Sequence, residues 1–161
     1  MRYDEDDHDA YQETLLFKKA EEIREIATAI CETAPEEGKS DRPGHKDIAD
    51  HMLQASKDDI MQNAYTIGAK IAGAYAMNMY DLQMENACLV RRGCREMVVA
   101  LRGLEMGGHS EQAHFDLLRK AVQEFRPLFA EWVGTFKDSF YVWDDWELFN
   151  PPGAIRDMDR T

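Results

Sequence analysis

The segment Glu111-Gln112-Ala113-His114 has the residue types nearest to a reactive site in this sequence. Glu-x-x-His on a helix sets a carboxylate and an imidazole on one side, the half-site of di-iron helical bundles. Such a centre needs a second copy of the motif and two more inward glutamates on facing helices. No second copy stands on the other helices read below. Phe115 and Leu118, not Glu111, mark the apolar side of this one. An acid in a first helical turn favours the helix dipole, and His114 reads as a surface residue. A carboxylate–histidine metal enzyme using Glu111 and His114 is therefore the alternative reading, not the main one.

Other groupings are weaker. Asp47 with His51, or Asp50 with His45, lie at a loop–helix boundary with no cysteine beside them, which suits helix capping. His109 and His114 are five apart, which is not a same-face spacing. Cys88 and Cys94 on one helix would lie about 9 Å apart along its axis and cannot bridge, so they read as small packing residues. No dinucleotide loop, phosphate-binding loop, nucleophile elbow or Cys-x-x-Cys is present. The expectation is a protein that is not an enzyme, with no catalytic residue, no cofactor and no metal.

The arginines are the strongest feature outside the core pattern. Residues 86–103 carry Arg91, Arg92, Arg95 and Arg102 against Glu96 alone, a local +3. At 100° per residue Arg91, Arg95 and Arg102 fall within about 40° of one another, with Met84, Cys88 and Val98 on the same side. Three readings stay open: phosphate contact, a face between protomers, and a solvated helix back.

Overall charge bears on that choice. The chain has 161 residues, 18.5 kDa and a net charge of −12, with 44% hydrophobic and 31% charged residues. Residues 1–13 hold six acids against Arg2, and residues 138–161 hold six against Arg156 and Arg160. The body, residues 14–137, is near neutral at −3. The ends read as acidic, solvated extensions, whether for solubility or for a high-salt habitat. This balance argues against non-specific nucleic-acid binding. The opening Met1-Arg2-Tyr3-Asp4 lacks a basic-then-apolar leader, and with three sparse cysteines it gives an expectation of a reduced, cytoplasmic protein.

Four helices must position these groups. The first spans residues 15–34, with Leu16, Ala20, Ile23, Ala27, Ile30 and Ala34 in one stripe, and stops at Pro35. Residues 35–46 form a polar loop. The second helix spans 47–77, with Ala49, Leu53, Ser56, Ile60, Ala64, Ile67, Ile71 and Ala74 on one face. Between Asp59 and Asp81 its only charge is Lys70. The back there carries Tyr65, Ala69, Ala72, Gly73, Ala76 and Tyr80. A solvated back carries charges, so burial on both sides is expected. Gln62, Asn63, Thr66, Lys70 and Asn78 make the stretch too polar for a membrane span.

The third helix spans 81–106, with Leu82, Leu89, Met97, Leu101 and Leu104 as its core stripe and Gly107-Gly108 as its stop. The fourth starts after Ser110 as N-cap. Phe115, Leu118, Val122, Phe125, Phe129, Trp132, Phe136 and Phe140 run along it close to heptad spacing. Pro127 should kink it near residues 123–127. Tyr141, Trp143, Trp146 and Phe149 follow, a run too aromatic for a free tail. The nine methionines read as core fillers. The whole is all-α: an antiparallel up-down-up-down four-helix bundle at 14–140, an acidic tail at 1–13, and an aromatic, acidic extension at 141–161.

Three segments resemble the four-helix-bundle family of 23S rRNA intervening-sequence proteins, to which the accessory protein of diversity-generating retroelements is related. Residues 15–34 resemble its first helix. Residues 60–74, with Ala64, Thr66, Ile67, Ile71 and Ala72, resemble its second-helix signature. Gly68 replaces the usual Pro there, Lys70 the usual Asn, and Gly73-Ala74 the usual Glu-Gly. Residues 81–106, with Ala87, Glu96 and Leu101, resemble the third. The resemblance implies a homo-oligomer, pentameric rings among them, with no enzyme activity and with a protein or nucleic-acid partner in some relatives. The expected oligomer interface is Tyr65, Ala69, Gly73, Ala76, Tyr80, Trp132, Phe136 and Phe140. Arg91, Arg92, Arg95 and Arg102 are the candidate face toward a partner or nucleic acid, with all three readings still open.

Overall fold

A computed structural model describes residues 10–156. The acidic run at 4–9 and the last acids, Asp157 and Asp159, lie outside the described residues. Four helices follow the apolar stripes: α1 (Leu15–Thr33), α2 (Lys46–Tyr75), α3 (Tyr80–Met106) and α4 (Gln112–Gly134). Short 3-10 turns, Ala10–Glu13 and Thr135–Asp138, precede α1 and extend α4. No described helix is long and apolar enough to cross a membrane.

Local signals account for several ends. Thr14 caps α1, its hydroxyl accepting from the Phe17 N–H at 3.2 Å. Pro35 follows the α1 cap, Ala34, which is extended at ψ 143. Ser110 does not cap α4. The cap residue is Glu111, with no side-chain bond, and α4 starts one residue later than expected. Pro127 sits inside α4, and the helix continues past it to Gly134. The helix therefore ends before Phe136 and Phe140, and the expected seam stops with it.

The helix order can be read from close approaches. Between α2 and α3, Gly73 faces Asn86, Ile67 faces Gly93, Ser56 faces Gly103 and Leu53 faces Gly107. Positions fall on one helix as they rise on the other, so the pair is antiparallel. Between α1 and α2, Phe17 meets Gly68, while Cys31 Sγ donates to the Lys57 carbonyl at 3.8 Å. Between α1 and α4, Lys19 pairs with Glu124 at 2.8 Å and Ile30 O meets His109 at 3.1 Å. The four helices therefore form an up-down-up-down bundle.

The core stripes of α1 and α2 are buried as expected: Leu16 to Ala34 on α1 and Ala49 to Ala74 on α2. On α3 the stripe differs. Met97, Leu101 and Leu104 are buried, but Leu82 and Leu89 are half-buried, and Ala87, Val90, Gly93, Cys94 and Ala100 complete the buried face. Small residues face α2, where the backbones run close, and the leucines lie to one side.

One end of the bundle is tied by backbone contacts. Gly38 is buried against the backbone of Ala49 and Asp50, and its N–H donates to the Asp50 carboxylate. Lys39 N–H donates to Gly107 O at 3.0 Å. His109 is 4% exposed. Its Nε2 donates to the Ile30 carbonyl, and its ring stands edge-on to Phe115 at 5.0 Å. The polar loop at 35–46 is therefore docked, and the α3–α4 turn is pinned to the end of α1.

Candidate functional site

The chemical groupings separate in three dimensions. Glu111 is exposed at the start of α4, while His114 is half-buried with its Nδ1 lacking a hydrogen-bond partner. Asp50 holds Gly38 rather than capping α2, where His45 occupies the cap position without a side-chain bond. Among the described residues no three His, Cys, Asp or Glu side chains converge as a metal site would require. Burial pushes the Cys94 thiol up to about 12 and the Cys31 thiol up to about 11, which leaves both protonated near neutrality.

The expected oligomer interface divides into three parts. Tyr65 and Ala69 on α2 and Ala76 at its C-cap are exposed on one side, with Tyr65 at 59%. Gly73 lies at the α3 seam, where an added Cβ would stand 3.5 Å from Asn86 Oδ1. Tyr80 is half-buried and donates its N–H to Phe140 O at 2.9 Å. Trp132 and Phe136 are corrected outright. At 8% and 2% exposure both belong to this chain's own core, Trp132 standing edge-on to Phe136 at 4.9 Å and stacked on Tyr75 at 6.0 Å. Trp132 at the end of α4 and Phe136 in the 3-10 turn after it both point inward, which leaves them little surface for a second copy. Phe140 is 63% exposed.

The arginines are also redistributed. Arg92 pairs with Glu96 at 2.6 Å along the helix, and this contact holds the Glu96 carboxyl below its usual range. Arg102 is exposed and lies outside the two grooves described next. Arg91 and Arg95 form a ridge between those grooves.

On one side of the ridge, α3 faces the C-terminal extension across a groove of about 1170 Å³ that includes Asp59, Glu85, Leu148 and Phe149. The extension begins at the Met79–Phe140 bridge, where Tyr80 N–H donates to Phe140 O at 2.9 Å, and its Leu148 and Phe149 line the groove opposite Cys88 and Leu89 of α3. The aromatic run therefore docks on its own bundle.

On the other side lies a groove of about 760 Å³ between α3 and α4. These two helices make the sparsest contact of the neighbouring pairs. Val98, Val122, Phe125 and Phe129 give the groove an apolar floor. Arg91 and Arg95 rim it from α3, and Arg119 and Arg126 from α4, with no acid in the lining. Arg119 is held by Glu105 and Asp116, each at 3.2 Å. Arg91, Arg95 and Arg126 have no ion-pair partner among the described residues. Sequence reading missed the α4 half of this rim. Its signal was present, since Arg119 and Arg126 are one heptad apart and share a side with Val122 and Phe129.

No protein-family model matches the chain, and neither a curated protein nor a solved structure matches it.

Proposed function

We propose that this chain is a non-catalytic helical bundle that works by associating with copies of itself, forming a scaffold or accessory assembly for a protein or nucleic-acid partner. The observation that carries the reading is the exposed side of α2. In a chain with 31% charged residues, the stripe Tyr65, Ala69, Ala72 and Ala76 bears no charge, and Tyr65 stands 59% exposed on it. Alanines there admit a close second helix, and a tyrosine supplies apolar area with a polar tip that interfaces favour. The resemblance of residues 60–74 to the second helix of a ring-forming family agrees with this. Nothing in the arrangement of Glu111, His114 or the thiols favours a catalytic reading over it.

Sedimentation at micromolar concentration tests the proposal. The native chain is expected to sediment above the monomer. Ala69→Glu, which puts a charge on the stripe without touching the core, should lower the assembly state and leave far-UV circular dichroism unchanged. A monomeric native chain would reject the reading. Ala69 is a cleaner probe than Gly73, whose added side chain would lie at the α3 seam beside Asn86.

A further inference from the structure

The C-terminal extension carries a feature that the bundle's own packing does not use. The Asp144 carboxylate accepts backbone N–H bonds from Phe149 at 2.8 Å, Trp146 at 2.9 Å and Leu148 at 3.0 Å. Asn150 Oδ1 accepts from the Asp144 N–H at 2.8 Å. These bonds close residues 144–150 into a fixed loop, with Glu147 in the left-handed region at φ 54. A loop ordered in advance loses less freedom on binding. At its tip Trp146 is 91% exposed and Leu148 70%. Asp145 and Glu147 are exposed beside them. The loop is thus an apolar knob with acidic flanks.

The α3–α4 groove has the complementary character. Its floor is apolar, its rim carries Arg91, Arg95 and Arg126, which have no ion-pair partner among the described residues, and no acid is among its lining residues. At about 760 Å³ it has room for an indole. In its own chain the loop does not fill this groove. Leu148 and Phe149 lie across the Arg91–Arg95 ridge, and Arg156 pairs with Asp145 at 3.0 Å.

We propose that the loop at 144–150 of one copy inserts Trp146 into the α3–α4 groove of a second copy, setting Asp145 and Glu147 against the arginine rim. This rests on the self-association reading above and adds a second contact to the α2 face. Knob and groove are different surfaces of one chain, so the contact is head-to-tail. Each copy gives a loop to one neighbour and receives a loop from another, which produces a ring if the rotation closes and a filament if it does not. A nucleic-acid strand would meet the same arginines, and net charge does not separate the two occupants, since a second copy also carries −12. A second copy brings both the acid for the rim and the apolar group for the floor.

Complementation with full-length chains tests this. Trp146→Ser removes the knob, while Arg91→Glu with Arg95→Glu inverts the rim. All three side chains are exposed, so helicity should be unchanged. Each variant alone is expected to assemble more weakly, with the dissociation constant of the knob variant up by roughly 30-fold, the loss of one interface anchor. Mixed in equal amounts, the two variants should recover a heterodimer, because one keeps an intact groove and the other an intact knob.

If both variants assemble like the native chain, the knob-and-groove contact is wrong while self-association stands. If each loses assembly but the mixture recovers nothing, the contact is not head-to-tail and the proposal fails. A monomeric native chain removes both this proposal and the reading beneath it. A short single-stranded RNA is the remaining arm. Salt-sensitive binding of RNA, abolished by the arginine reversals while assembly persists, assigns the groove to phosphate and overturns the proposal.

Discussion

Gly107 allows the closeness of α2 and α3 to be tested by one methyl group. A Cβ built there would stand 2.9 Å from Leu53 Cβ, 3.1 Å from Leu53 Cδ1 and 3.2 Å from Leu53 Cα. The backbone itself raises no objection, since Gly107 has φ −77. The cost is therefore contact alone. Leu53 is 2% exposed, and its Cβ and Cα cannot rotate away. Overpacking of this kind costs about 1–3 kcal/mol, whereas the entropy and propensity gained on replacing glycine return at most about 1 kcal/mol.

The clash should win by about 1–2 kcal/mol, which is roughly 2–6 °C in melting temperature for a chain of this size. Gly134 is the control. It ends α4 at φ −59 with nothing within 4 Å of an added Cβ. Gly134→Ala should gain about 0.4–1 kcal/mol by the same entropy term with no clash. Urea unfolding followed by far-UV circular dichroism reads both. If Gly107→Ala were as stabilising as Gly134→Ala, Leu53 would not be packed on that glycine, and the account of the α2–α3 seam would be wrong.

Two further outcomes follow from side chains that sequence reading passed over. His109→Phe keeps the ring contact with Phe115 but loses the donor to Ile30 O, and should cost about 1 kcal/mol, whereas His109→Ala also leaves a cavity and should cost about 3 kcal/mol in urea titrations. Equal losses would mean that the ring does not fill the junction. The N–H groups of Phe149, Trp146 and Leu148 hold the Asp144 carboxyl below its ordinary value. A group depressed in the folded state stabilises above its unfolded pKa, about 3.9, and that support is lost as pH falls through the folded value. The 144–150 loop should therefore stay ordered at neutral pH and open in strong acid. Asp144→Ala should show the opened near-UV signal already at pH 7, and a spectrum identical to the native one there would contradict the loop's design.

The fold was legible because three of the four stripes keep an unbroken helical period, with a large apolar residue in nearly every turn. The eight positions read on α2, from Ala49 to Ala74, are the eight that are buried. On α3 the same method favoured Leu82 and Leu89 over Ala87, Gly93 and Ala100. Hydrophobic periodicity weights size, and a close helix pair is made of small residues. Trp132 and Phe136 were placed in the expected oligomer interface. The chain buries Trp132 on the core side of α4 and Phe136 from the 3-10 turn that follows it. His109 gave almost no signal, since its role depends on a carbonyl 79 positions away. The groove was half-legible: Arg91 and Arg95 were read from one helix, but Arg119 and Arg126 became rim residues only when α4 was placed beside α3.

The groove itself follows from the distribution of side-chain size around the bundle. The α2–α3 seam is lined by Ser56, Gly93, Gly103 and Gly107, so these backbones run close and hold the most extensive contact in the bundle. The α4 helix instead brings Phe115, Phe125 and Trp132 to the core, and bulk of that kind keeps a helix axis at a distance. It packs more fully on α1 than on α3. With α3 drawn toward α2, and α4 held off by its aromatics and engaged by α1, the α3–α4 seam is the one left open. The side chains that border an open seam must tolerate water above and an apolar floor below. Arginine does both, laying its methylenes on the floor and its guanidinium at the rim. The four rim arginines and the gap they border thus have one origin: glycines on one side of α3 and phenylalanines on α4.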